Sequence, residues 1–183
     1  MSTAGHFTEH PQMPPLSGAD VCWYAVQTRS RHERVVATQL REQGVSTFLP
    51  TITQIRRWSD RRKLVELPLF LGYVFVHTVV SAQIRRTVLF ARGVAGFVAM
   101  RGEPLPIPDE QIDSVKELIA KNIHCTGYPF LKIGRRVRIR GGSLEGLEGI
   151  LVSHNGDRKL VISVDTIERS FSIRIEGYDV EVL

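Results

Sequence analysis

Hydrophobic and polar positions follow two regimes along this chain. Between residues 22 and 121, β-type runs alternate with segments of helical spacing; after residue 131 only period-two stretches remain. Residues 22–27 (CWYAVQ) read as a strand. Ser30 and Glu33 stand at capping-box spacing, with Ser30 as cap and Glu33 reaching back, and open a helix to Gln43. Val36 and Leu40 form its apolar stripe, and Gly44 stops it. Residues 45–58 return as a strand, broken or bulged near Pro50. Residues 59–62 are a turn and 64–77 the next strand. Ser81 caps a short helix carrying Ile84 and Val88, which Gly93 ends, and 94–100 is strand again. Asp109 caps a helix with Ile112, Val115 and Ile119 inside. Glu110 and Asp113 in its first turn and Lys121 at its end suit the helix dipole. The order βαββαβα predicts an antiparallel sheet with helices, an α+β fold. Residues 122–131 hold Gly127 and Pro129 without periodicity and read as a linker. Beyond them, RVRIR at 136–140 alternates strictly. Residues 149–153, 160–164 and 170–175 continue the pattern, with a hairpin signal at Asn155-Gly156. This predicts a small all-β barrel of SH3-like size. The domains expected are a tail at 1–21, the α+β domain at 22–121, the linker at 122–131 and the barrel at 132–183.

One run departs from the half-buried pattern. Residues 68–76 read PLFLGYVFV, apolar on both faces of a strand. Leu69, Leu71, Tyr73 and Phe75 point one way, and Phe70, Val74 and Val76 the other. Phe70 rejoins Tyr73 and Phe75 only if the strand bulges at Gly72; otherwise it is core. A sheet with helices on one side needs a single apolar face, so the second must be covered by another layer of the chain or by another molecule. A barrel behind a flexible linker is not expected to cover it fully.

Composition narrows the classes. The chain has 183 residues, 43% hydrophobic and 23% charged, which is ordinary for a folded soluble protein. The first twenty residues are polar, with Pro11, Pro14 and Pro15, and read as a disordered tail rather than a signal peptide. No apolar run is long enough to span a bilayer. Two cysteines, Cys22 and Cys125, imply no disulfide framework and a reduced, cytoplasmic setting. The histidines, at His6, His10, His32, His77, His124 and His154, show no metal spacing, and the glycines from Gly142 to Gly149 lack the ending of a phosphate loop. His124-Cys125 has no orienting acid nearby. No enzyme and no cofactor are expected.

The net charge of +5 is unevenly spread: residues 29–63 hold nine Lys and Arg against three Asp and Glu. Within that segment, Arg56, Arg57, Trp58, Arg61, Arg62 and Lys63 cluster at a hairpin tip. Cations there pair with phosphate, and an indole can stack on an unpaired base. A solvated basic loop is the alternative.

The segment GRRVRIRGGSLEGLEGILV at 134–152, with Gly142, Leu144, Gly146 and Gly149, resembles the KOW motif. Trp23-Tyr24-Ala25-Val26, the helix containing Glu33, Phe48-Leu49-Pro50 and PLFLGYVFV together look like the NGN domain of the NusG family of transcription elongation factors. Residues 93–98 (GVAGFV) and Pro106-Ile107-Pro108 resemble later landmarks of that domain. Leu71 departs from a proline common in the family. RRWSDRRK at 56–63 and SVDTIERS at 163–170 are similar to the specialised antiterminators of the RfaH and UpxY kind.

The resemblance implies a monomeric antiterminator whose NGN sheet docks on the clamp helices of the RNA polymerase β′ subunit. The matching positions are Phe70, Tyr73 and Phe75, with core packing as the alternative for each aromatic singly, and with Tyr24, Val26, Leu49, Val94, Phe97 and Met100 as neighbours. It places Arg85, Arg86 and Thr87 at the gate loop of the β subunit, with an exposed helix face as the alternative. It places Arg29, Arg31 and Arg92, beside the hairpin residues, on the non-template DNA strand. It assigns Thr166, Ile167, Glu168 and Arg169 to a barrel loop recruiting a small-subunit ribosomal protein or Rho, with core packing as the alternative for Ile167. No membrane partner is implied. Control of polysaccharide operons is what the subgroup suggests. A general housekeeping role with Rho coupling and a ribosome-associated RNA-binding protein are the other readings.

Overall fold

A computed structural model describes residues 20–57, 62–121, 123, 125–128, 134–154 and 157–183. The N-terminal module is built on a five-stranded antiparallel sheet. Its strands are β1 (Cys22–Thr28), β2 (Ser46–Phe48), β5 (Tyr73–Thr78) and β6 (Val94–Phe97), ordered β2-β5-β1-β6, with β9 (Pro106–Ile107) also pairing β1. A separate hairpin joins β3 (Thr51–Arg57) to β4 (Arg62–Pro68), and a smaller one joins β7 (Ala99–Met100) to β8 (Glu103–Pro104). The helices are α1 (Glu33–Glu42), α2 (Ala82–Phe90) and α3 (Asp109–Ala120).

The C-terminal module is a six-stranded antiparallel sheet in the order β10-β14-β13-β12-β11-β15. Its strands are β10 (Thr126–Tyr128), β11 (Arg135–Arg140), β12 (Glu148–His154), β13 (Asp157–Val164), β14 (Arg169–Arg174) and β15 (Asp179–Val182). Val137, Ile139, Leu160, Ile162, Phe171 and Ile173 fill its core.

Alternation sorts the main sheet into two faces. Tyr24 and Val26 of β1 and Val74 and Val76 of β5 pack with Val36 and Leu40 of α1 and Val88 of α2. Trp23 and Ala25 of β1 and Phe75 of β5 belong instead to a cluster shared with Ile112, Val115 and Leu118 of α3 and with the barrel core. Helix α3 contacts both β1 and β13 and so lies between the modules. The barrel and α3 therefore cover the second face, contrary to the expectation from a free linker.

Four local features differ from the sequence reading. The capping box does not form: Arg31 takes a left-handed φ of 62°, the cap is His32 without a side-chain bond, and α1 starts at Glu33. The buried Glu33 carboxylate instead accepts the Gly72 N–H at 2.8 Å. The run at 64–77 is two strands, separated by a turn in which Gly72 has φ 82° and Tyr73 N–H donates to the Phe70 carbonyl at 3.3 Å. Glycine is suited to that turn, because a side chain at this φ is strained. Pro108, which makes no side-chain cap bond, occupies the N-cap position of the third helix, with Asp109 its first residue, and Leu118 rather than Ile119 is fully buried. Finally, part of the expected linker is strand: Thr126, Gly127 and Tyr128 pair with Ser172, Phe171 and Ser170. Ladder pairing uses the backbone alone, so three residues of edge strand leave little side-chain pattern. Ser81 does cap α2, accepting the Ile84 N–H at 3.1 Å. The Asn155-Gly156 tip lies outside the described residues; β12 and β13 pair up to His154 opposite Asp157.

Candidate docking surfaces

The second sheet face carries a continuous aromatic path. Trp23 stacks on His77 at 4.6 Å and meets Phe48 edge-on at 6.1 Å. Phe48 lies 6.3 Å from Phe75, which meets Phe70 edge-on at 5.6 Å. Phe70 then reaches Phe171 of the barrel at 5.8 Å. The edge-on pairs of Trp23 with Phe48 and Phe70 with Phe75 are of the favoured kind for aromatic rings. Phe75 is wholly buried and Phe70 nearly so, whereas Tyr73 is half-buried against the same cluster. The turn at Gly72 is what brings Phe70 to the side of Phe75.

The nine apolar positions singled out in the sequence do not form one surface. Phe70, Tyr73 and Phe75 face the barrel, while Tyr24, Val26, Leu49, Val94 and Phe97 pack on the helix side. Met100 is exposed on β7. Burial pushes the Tyr24 hydroxyl above its ordinary pKa, consistent with a core position.

Polar contacts pin the barrel in place. Gln111 of α3 donates from Nε2 to Asp165 Oδ2 at 3.0 Å, and its Oε1 accepts the Asp165 N–H at 3.0 Å. Lys121 Nζ donates to the Glu145 carbonyl at 3.3 Å. A cleft of about 580 Å³ runs beside these contacts, lined by Glu110, Ser114, Arg136 and Glu148 among others. Gln111 was not legible as a site residue: its role depends on a partner 54 positions away.

The barrel loop sits at the same junction. Ile167 is buried in the shared cluster with Ile107, and β9 contacts the 165–167 turn. Thr166 is half-buried, Glu168 and Arg169 are exposed, and Glu168 has a left-handed φ of 50°. The alternating basic strand of the barrel is partly neutralised, two carboxylates facing its four arginines. Arg138 forms an ion pair with Glu148, Arg140 with Glu181, and Arg136 lies 3.8 Å from Glu148.

A basic surface gathers beside α1. Arg29 N–H donates to the Gly93 carbonyl at 2.8 Å, and Arg92 N–H to Gln39 Oε1 at 2.9 Å. These bonds bring Arg29, Arg31 and Arg92 to one edge of α1. A Cβ at Gly93 would stand 2.7 Å from the His32 ring, so this approach requires glycine. All three arginines are exposed, and none has an acidic partner among the described residues. Beneath them the Thr28 hydroxyl is buried without a hydrogen-bond partner.

The β3–β4 register sets Arg57 opposite Arg62 and Arg56 opposite Lys63 near the hairpin tip; Trp58 and Arg61 lie outside the described residues. The base of the hairpin is fastened by Glu66. Its carboxylate accepts from Thr51 Oγ1 at 2.7 Å and from Arg34 Nη2 at 2.8 Å. Those bonds, the Thr51 hydroxyl first, hold the Glu66 carboxyl below its usual range. Arg85 donates to the Gly102 carbonyl at 3.2 Å and pairs with Glu103, which occupies it within the fold. Arg86 is exposed and without an acidic partner among the described residues, and Thr87 is half-buried.

Among the described residues no group of His, Cys, Asp and Glu could hold a metal ion. Cys125 is buried, which pushes its thiol up and away from nucleophilic use. No helix among them is long and apolar enough to cross a membrane. What the arrangement offers is contact surface: an aromatic sheet face, a basic edge, and a small barrel linked to the sheet.

This is a two-module binding protein. The family described as transcription termination factor NusG matches residues 21–116, just over half of the chain, and the chain belongs to that family, one of transcription factors and not of enzymes. It is 28% identical over 178 residues to the transcription termination/antitermination protein NusG of Lactococcus lactis, covering 91% of this chain and 95% of that one. Identity to the NusG of Borreliella burgdorferi is 28% over 181 residues, covering 87% and 97%. A solved structure on domain interaction in Thermotoga maritima NusG superposes with a TM-score of 0.51 at 22% identity, covering 85% of this chain and 93% of that one, a likeness of fold.

Proposed function

We propose that this protein is a cytoplasmic, monomeric transcription elongation and antitermination factor that docks on RNA polymerase through the barrel-side face of its N-terminal sheet. The observation that carries this is the aromatic path from Trp23 to Phe70, an apolar face larger than a sheet backed by α1 and α2 requires. Tyr73, half-buried at its margin, is the contact residue most open to test. The barrel covers this face in the structure, so docking on the β′ clamp helices requires it to move aside. Ile167, the anchor of the barrel's own recruiting loop, is freed by the same movement. The two surfaces then open together, and binding at one favours binding at the other. The barrel partner is a small-subunit ribosomal protein or Rho.

The basic edge formed by Arg29, Arg31 and Arg92, with the β3–β4 hairpin, faces the non-template strand. Arg86 and Thr87 lie toward the β gate loop; Arg85 serves there only by releasing Glu103. The finer reading, a factor dedicated to polysaccharide-type operons, rests on the RRWSDRRK and SVDTIERS segments. The ion pairs of Arg138 with Glu148 and Arg140 with Glu181 occupy part of the arginine ladder through which a barrel could bind ribosomal RNA.

The test is capture of core RNA polymerase by the full chain. Tyr73→Ala is expected to weaken capture about tenfold while leaving the thermal transition in place. Undiminished capture by Tyr73→Ala and by a Tyr73→Asp variant would remove this face from consideration.

A further inference from the structure

The cleft between α3 and the barrel has the volume of a small-molecule site, about 580 Å³. One wall is α3, where Glu110 and Ser114 stand one turn apart on a single face. The other is the outer face of the barrel. Leu160, Ile162 and Val164 of β13 belong to the shared core, so alternation turns Val161 outward, beside its register partner Ile150 of β12. Neither module forms this cleft alone. Three of the four charged side chains lining it are carboxylates, Glu110, Glu148 and Asp165, in a chain whose net charge is +5. Glu148 is engaged by Arg138, and the lining cation, Arg136, lies 3.8 Å from Glu148. Glu110 has no cationic partner among the described residues, and Asp165 gives Gln111 only its Oδ2. The acids are also spread out: among the described residues no group of three could hold a metal ion. A single small ion would meet one of them and fill little of the volume. A flexible chain with several ammonium groups meets separated carboxylates through charge-assisted hydrogen bonds and lays its methylenes against Ile150.

We propose that this cleft binds a small aliphatic di- or polyamine, and that the bound amine holds the barrel against α3. Arg136 repels a cation beside Glu148, so Glu110 and Asp165 carry the recognition. One of these acids belongs to each module. An amine that touches both binds only the joined form, and by linkage it opposes the movement that uncovers the aromatic path. The regulatory half of the inference rests on the reading that the barrel moves aside before polymerase docks. The binding half does not.

Spermidine is the probe, and titration calorimetry of the full chain is the first measurement. One site per chain is expected. Glu110→Gln changes an exposed residue and is expected to weaken that site about tenfold, the scale of one lost charge-assisted bond. Glu42→Gln, the same change at the exposed end of α1, is expected to bind as the parent does. No one-site isotherm, an equal loss in both variants, or displacement of the amine by an equivalent charge of Mg²⁺ overturns the site. Capture of core RNA polymerase then tests the coupling. Spermidine at about ten times its dissociation constant is expected to lower capture by the parent about tenfold and by Glu110→Gln only about twofold. If spermidine occupies its one site while capture falls equally in both or in neither, the coupling fails, and with it the reading that the barrel must move. If spermidine does not bind, the site fails and that reading stands.

Discussion

The two faces of the N-terminal sheet are equally apolar but are covered in different ways. On one face, α1 and α2 are joined to their strands by short connections and bury Val36, Leu40 and Val88 completely. On the other, α3 and a barrel distant in sequence cover the aromatic path, and polar contacts such as Gln111–Asp165 sit at the margin of a cleft. Cover supplied by neighbouring elements is part of the domain's own folding. Cover supplied by a second module is closer to a protein–protein interface within one chain, where relative motion is the default unless the apolar contact is large; here the shared cluster opposes that motion and the cleft and polar margin favour it. An apolar surplus on a sheet therefore shows that cover exists, and the connection to that cover shows whether it is permanent.

The sharpest way to break this comparison is to truncate one core residue on each face. Phe75→Ala removes a wholly buried ring and is expected to cost about 3–5 kcal/mol of stability; Leu40→Ala is expected to cost about 2–5 kcal/mol. Urea unfolding should show Leu40→Ala shifting the N-terminal module alone. Phe75→Ala should in addition loosen the barrel, seen as new exchange of barrel amides, because its ring reaches Phe171 through Phe70. If Phe75→Ala abolished polymerase capture with no loss of stability, the ring would be contact surface and the structural description of this face would fail.

The elements and the parity of the main strands were legible because hydrophobic alternation directly reflects burial. Trp23 against Tyr24 and Phe75 against Val74 fall on opposite faces as alternation requires. The cover of the second face was not legible, since nothing local to 68–76 records a barrel docked through Phe171. Glu33 shows the same limit. Its spacing from Ser30 suits a cap, but the left-handed Arg31 moves the helix start and releases the carboxylate to Gly72, a tertiary partner 39 residues away. The basic edge was half legible. Arginine content marked it, while the hydrogen bonds of Arg29 to Gly93 and Arg92 to Gln39 that assemble it are non-local.

A gentler probe acts on the pins rather than the core. Gln111→Ala removes both hydrogen bonds to Asp165 and leaves no truncated core residue. Its effect on unfolding should stay near 1 kcal/mol, about 0.5 kcal/mol for each of two exposed bonds. The same 1 kcal/mol, if spent between closed and open forms, shifts their ratio about fivefold. Polymerase capture should therefore rise about fivefold while the N-terminal module melts almost unchanged. Capture that falls, or a melt that shifts as far as that of Leu40→Ala, would place the barrel among the permanent covers and erase the distinction between the faces.

The smallest expected effect concerns the β3–β4 hairpin, which belongs to neither face. Thr51 and Arg34 both bind the ionised form of Glu66, and its folded pKa lies below the unfolded one. Their contribution is therefore fully present above the ordinary carboxylate range and fades as pH falls through about 4 and below. Because the pair is exposed, protection of the hairpin amides in Glu66→Gln should drop only about two- to fivefold at pH 7. The gap between variant and parent should close on acidification, and raising the pH above 7 should not widen it. A gap constant from pH 7 to pH 3 would mean that shape and not charge fastens the hairpin, and the amides of β1 and β5 should be indifferent to the substitution throughout.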